Sequence, residues 1–147
     1  MFIVSGKPSG DASPPSVATR EELREWVEAL ATPRHPVLEP HSNQRTAEFI
    51  AMELASFGYS VAFDGVHRNV VALPKRSLAK LMLVGAHYDS VPRTPGADDN
   101  ASGLAVMLAC ARAVQQPSVA FVAFNGEEDG LLGSTDFVAR WTGRTDI

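Results

Sequence analysis

Six of the chain's 17 acidic residues fall in two short stretches, each directly after an apolar run. The first run opens into His87-Tyr88-Asp89-Ser90 and then Gly96-Ala97-Asp98-Asp99-Asn100-Ala101-Ser102-Gly103; the second opens into Asn125-Gly126-Glu127-Glu128-Asp129-Gly130. Carboxylates brought together this densely repel one another unless protons or a cation neutralise them. Imidazole nitrogen combined with carboxylate oxygen suits zinc, and a catalytic zinc keeps one position open for water. His87 is the candidate ligand, and Asp89, two residues on, is placed to hold its other ring N–H. Glu127 and Glu128 are neighbours whose side chains are expected to diverge, so one could ligate while the other takes a proton from water.

Taken singly, each motif has a plain structural explanation. A lone His-x-Asp is a surface pair, Glu127-Glu128-Asp129 a solvated turn, and Asp98-Asp99-Asn100 a helix N-cap with acids at the favourable end of the dipole. All three in this order, two of them directly after apolar strands, favour a metal centre.

The elements that must position these groups are legible from periodicity. Thr19-Arg20-Glu21-Glu22 has the capping-box pattern, and Leu23, Trp26, Val27 and Leu30 follow it at helical spacing until Pro33 and Pro36. A second helix is expected from 43 to 57, with Ala47, Ile50, Ala51 and Leu54 on one face and Gly58 as its stop. Residues 59–64 and 69–73 flank Asp64-Gly65 and read as paired strands around a turn. The runs 81–86 and 119–124 do not alternate, as expected of strands covered on both faces. Between them, 101–114 is a helix apolar almost all round, and a last helix is expected at 134–141, capped by Ser134. Strand, crossover helix, strand makes a βαβ unit, so the fold class is α/β with three α/β/α layers and a mixed, mostly parallel central sheet. Ligands in such sheets collect beyond the carboxyl ends of the strands, where the two acidic stretches lie.

Composition bounds the remaining possibilities. The chain has 147 residues, 45% hydrophobic and 20% charged, with a net charge of −4, which is ordinary for a globular domain and offers no basic face for nucleic acid. The single cysteine, Cys110, lies among apolar residues and reads as a small core side chain; it cannot form an internal disulfide. No apolar stretch is long enough for a membrane span, and the N-terminus lacks the charged and apolar regions of a secretion signal, so a cytoplasmic protein is the default expectation. Residues 1–18, rich in Gly, Pro and Ser, read as a flexible leader. His35, His41 and His67 lie upstream of the motifs and are expected at surface or loop positions.

Three strings together resemble the M28 family of co-catalytic zinc aminopeptidases: Val84-Gly85-Ala86-His87-Tyr88-Asp89-Ser90, Gly96 to Gly103 as above, and Phe124-Asn125-Gly126-Glu127-Glu128-Asp129-Gly130-Leu131-Leu132-Gly133-Ser134. The resemblance extends upstream to the helix ending Phe57-Gly58-Tyr59 and covers roughly residues 20–141. The M20 metallopeptidases share His-x-Asp and Glu-Glu, but their middle motif lies much further along.

The resemblance implies that His87 binds one zinc, Asp99 bridges two, Glu128 binds the second, Glu127 is the general base, and Asp89 orients His87. It implies a cis peptide bond after the bridging aspartate, here Asp99–Asn100. The implied reaction is hydrolysis at peptide or protein N-termini, with Glu127 accepting a proton from water and passing it to the leaving nitrogen. The family's full ligand set also includes a further carboxylate and a second histidine, and no histidine follows His87. The expectation is therefore that 19–147 form an incomplete peptidase domain, its site completed by further chain or by a second subunit. Two other readings fit the same residues: a catalytically inactive peptidase-like binding module, and an acyltransferase of the glutaminyl cyclase kind, whose middle motif differs from Asp98-Asp99-Asn100.

Overall fold

A computed structural model describes residues 17–76, 80–114 and 116–142. Most of the expected 1–18 leader lies outside these residues. Helix α1 spans Arg20–Leu30, and both halves of its capping box form: Glu22 N–H donates to Thr19 Oγ1, and Thr19 N–H donates to the Glu22 carboxylate. Helix α2 spans Pro40–Ser56 and begins three residues earlier than expected. Proline accounts for the difference, since its fixed φ suits the first helical position, where no N–H partner is needed. Gly58, at φ 98°, ends the helix as expected.

Strands β1 (Ser60–Asp64) and β2 (Asn69–Leu73) form the expected antiparallel hairpin. Strand β3 (Met82–His87) and strand β4 (Val119–Phe124) pair in parallel, joined through helix α3 (Gly103–Ala113). Helix α4 spans Leu132–Trp141. The described sheet is mixed, in the order β1-β2-β4-β3, and its parallel part is the β3–β4 unit.

The central strands β2 and β4 are covered on both faces, whereas β3, expected to be covered too, is the exposed edge of the described sheet. On one face, Leu30, Ile50, Leu54, Leu104 and Leu108 from α1, α2 and α3 pack on Val70, Ala72, Phe121 and Ala123. On the other, Phe137 of α4 packs on Val71 and Val122, with its ring edge-on to Phe124 at 5.6 Å. Cys110 is half-buried against the first cluster, as expected. No helix among the described residues is long and apolar enough to cross a membrane.

Two helix starts differ from expectation. Ser134 does not cap α4: its hydroxyl donates to Leu131 O from inside the helix, which starts instead after Leu131 in a left-handed conformation. The apolar segment from 101 becomes regular helix only at Gly103, because Asp99 and Asn100 break helical geometry and Asn100 Oδ1 accepts the Gly103 N–H. A side chain at 103 would place its Cβ 2.1 Å from that oxygen, so the cap requires glycine there.

A candidate metal centre at the ends of two parallel strands

His87 is the last residue of β3, in register with Phe124, the last of β4. Parallel pairing therefore delivers both acidic loops to the same edge of the sheet. The backbone pairing continues one step further, with Tyr88 N–H donating to Phe124 O. His87 Nε2 lies 2.8 Å from Asp99 Oδ1 and 3.8 Å from Glu127 Oε2. One atom each of His87, Glu127 and Glu128 lie within 4.8 Å of one another. The turn after Gly126 thus brings both adjacent glutamates to the histidine, where divergence was expected. Asp99 meets the same imidazole but falls outside that group of three; the Asp99–Asn100 peptide bond is cis. Asp98 is exposed, and its carbonyl accepts the Ser102 hydroxyl.

Asp89 is fully buried and ties the loops together. One of its oxygens accepts the Glu128 N–H at 3.1 Å, and the other faces His87 Nδ1 at 3.4 Å without the alignment a hydrogen bond needs. Burial alone would raise the Asp89 pKa, but the His87 ring and the N–H groups of Glu128 and Glu127 outweigh it and hold the carboxyl low. Burial pulls His87 toward its neutral form, yet Asp89 and Asp99 prevail and shift it upward. The Glu128 carboxyl is pushed up by desolvation and by the negative charges of Asp99, Glu127 and Asp89.

Three buried atoms here have no hydrogen-bond partner: His87 Nδ1, Asp89 Oδ1 and Glu128 Oε1. A buried carboxylate oxygen without a donor, among like charges and beside an imidazole, fits a cation, and the nitrogen-and-oxygen donor set fits zinc.

The composition-level reading missed the residues that hold this edge together. Arg34, in the loop after α1, is fully buried, and its guanidinium donates to backbone carbonyls: Tyr88 O at 2.7 Å, Pro95 O at 2.5 Å, Gly96 O at 3.0 Å and Thr32 O at 3.0 Å. Burial pushes its pKa down while Asp89, Asp99 and Glu128 pull it back, and a guanidinium so placed stays charged.

His35 lies at a loop position, between α1 and α2, as expected, but is buried there, at 6% exposed. Its Nδ1 accepts the N–H groups of Val37 and Leu38, which leaves the proton on Nε2, 3.3 Å from Asp129 Oδ1. His41 is exposed in the first turn of α2 and His67 half-buried in the β1–β2 turn, surface and loop positions as expected. Asn43, Asn69 and Asn125 are buried and interlinked: Asn43 and Asn125 exchange amide hydrogen bonds of 2.9 and 3.2 Å, and Asn69 Oδ1 accepts Asn125 N–H. A buried asparagine directly after an apolar strand, as at Asn125, was the one sequence signal available for this network.

The sequence profile of peptidase family M28 matches residues 69–147. The chain is 46% identical over 78 residues to aminopeptidase YwaD of Bacillus subtilis, a match covering 48% of this chain and 17% of that protein. Among solved structures, a zinc-dependent exopeptidase, so titled as a tentative assignment, from Bacteroides vulgatus superposes with a TM-score of 0.68 at 26% identity, covering 86% of this chain and 54% of the other. Macrostomum lignano glutaminyl cyclase superposes with a TM-score of 0.76 at 21% identity, covering 88% and 47%, a likeness of fold alone. The chain thus spans about half or less of the length of the proteins it matches. With its sequence, its fold and its paired acidic loops all in agreement, the chain belongs to peptidase family M28.

Proposed function

We propose that this chain carries the metal-binding part of a zinc-dependent aminopeptidase, with His87, Asp99 and Glu128 as ligands, Glu127 as general base and Asp89 orienting His87. The observation that carries the reading is the meeting of His87, Glu127 and Glu128 within 4.8 Å, with Glu128 Oε1 buried and unpaired. The substrates would be peptide or protein N-termini, as the name of the YwaD relative suggests.

Zinc bound there would supply Lewis-acid polarisation of the scissile carbonyl and would acidify water. The chain's own residues do the rest. Asp89 Oδ1, 3.4 Å from His87 Nδ1, would take its N–H once the ring turns onto a metal, which would fix the tautomer and keep the Nε2 lone pair toward the site. Glu127, half-exposed and 3.8 Å from that nitrogen, accepts a proton from the attacking water. As the water oxygen bonds to the carbonyl carbon and the C–N bond breaks, Glu127 returns the proton to the leaving nitrogen.

Elemental analysis after dialysis against trace zinc tests the first half. About one zinc per chain or more is expected, and a zinc content near zero would overturn the assignment. Glu127→Gln tests the second half: zinc content should hold while peptide hydrolysis falls by about 10²–10⁴-fold. Undiminished hydrolysis in that variant would remove Glu127 as the base. A glutaminyl cyclase reading rests only on shared fold, and release of a free N-terminal residue, as against pyroglutamate formation, separates the two reactions.

A further inference from the structure

The loop between α1 and α2 belongs to neither acidic stretch, yet it touches both. Arg34 binds the first stretch through three carbonyls, Tyr88 O, Pro95 O and Gly96 O, and its own N–H donates to Ser90 Oγ at 3.1 Å. Gly96 sits at φ 54°, and an added Cβ there would lie 2.6 Å from Asp99 O and 3.1 Å from the guanidinium. The cation therefore grips the backbone at Pro95 and Gly96, three to four residues before Asp99.

The next residue reaches the other stretch. His35 Nε2–H points to Asp129, the neighbour of Glu128, while its Nδ1 is locked by two backbone donors. Two further links close the frame. Glu39 accepts His35 N–H on one oxygen and Arg93 N–H on the other, and Asn43 donates to both Arg34 O and Asn125 Oδ1.

We infer that Arg34 and His35 are positioning residues, a single brace that sets the distance between the Asp99-bearing and Glu128-bearing loops and so the geometry of the metal centre. The inference rests on the proposed zinc site for its functional consequence, but the brace itself is a property of the metal-free chain. Without a link of this kind, the four carboxylates around His87, those of Asp89, Asp99, Glu127 and Glu128, would drive the loops apart. Arginine is the residue this task needs: its planar fork satisfies several carbonyls at once, whereas a lysine ammonium keeps the charge and loses the fork.

The test compares Arg34→Lys and His35→Phe with a core control, Leu54→Ala, which lies in the α1–α3 cluster away from both loops. Zinc affinity is measured by competition with a chromogenic chelator, and amide exchange of the metal-free chain is followed by mass spectrometry over 88–101 and 126–131. Arg34→Lys and His35→Phe should each weaken zinc binding about tenfold or more, the usual cost of losing support behind the ligands, and speed exchange in both loops. Leu54→Ala should lower the melting temperature at least as much and leave the affinity within about twofold of the parent. If the two brace variants weaken zinc no more than Leu54→Ala does, Arg34 and His35 are merely structural and the brace is overturned. If the parent chain itself binds no zinc, the proposed function falls. The brace then survives only if exchange in both loops rises in Arg34→Lys and His35→Phe beyond its rise in Leu54→Ala.

Discussion

Strands β3 and β4 read almost alike as sequence, Met-Leu-Val-Gly-Ala-His against Val-Ala-Phe-Val-Ala-Phe, and each delivers one acidic loop to the site. Their surroundings differ sharply. β4 lies between β2 and β3, and Ala120, Phe121, Val122 and Ala123 are all fully buried. β3 is the edge of the described sheet, with Met82 67% and Leu83 46% exposed. An unbroken apolar run thus records what a strand is built to have around it, while actual burial depends on which neighbours are present. The site edge shows the converse: His87 is buried at the end of the exposed strand because loops, not strands, enclose it.

Removing a side chain from β4 should give the largest effect. Phe121 has no exposed surface and stacks edge-on against Tyr59 at 5.4 Å, so Phe121→Ala is expected to lose about 3–5 kcal/mol in urea unfolding. The matching change on β3, Leu83→Ala, should lose less than about 1 kcal/mol, because much of its surface already faces water. Equal losses would erase the contrast. Asn125→Ala, one residue past β4, comes next. It strands the buried amide of Asn43 and the carbonyl of His67, and a loss of about 2–3 kcal/mol is expected by the same measurement.

How far the sequence anticipated the molecule follows from the range of the interactions involved. The capping box at Thr19, the hairpin at Asp64-Gly65 and the β3-α3-β4 unit are set by residues a few positions apart or by a continuous apolar run. His87, Asp89, Asp99, Glu127 and Glu128 stood out because they crowd beyond strand ends, and the structure brings them together. Arg34 and His35 were out of reach, because their partners in the acidic loops, Tyr88 and Asp129 among them, lie 54 to 94 positions away and nothing local marks a basic residue as buried. The same holds for the start of α3: the apolar run predicted helix from 101, but the side chain of Asn100 shifts the first regular turn to Gly103.

Asp89 offers a way to examine the join between the two strands by pH. Its carboxyl titrates below the usual range when folded, so its contribution to stability is present above that range and is lost as pH falls through the lower folded value. Asp89→Asn should therefore flatten the acid limb of the stability profile of the metal-free chain, with less effect near neutrality on that pH dependence. An acid limb as steep as in the parent would mean that Glu128 N–H and the His87 ring do not hold the carboxylate charged.

The smallest effect is expected where β3 is most open. Met82 is paired to Val119 through its backbone, but its side chain is 67% exposed, so Met82→Lys removes little packing and should change unfolding free energy by no more than about 0.5 kcal/mol. Lysine on an edge strand opposes the addition of another strand, since a charge must then be buried against the incoming chain. Sedimentation velocity should consequently show less self-association in Met82→Lys than in the parent at matched concentration. A loss of about 2 kcal/mol or more would contradict the contrast with β4, because it would require the Met82 side chain to be covered in solution, as Phe121 is in the core.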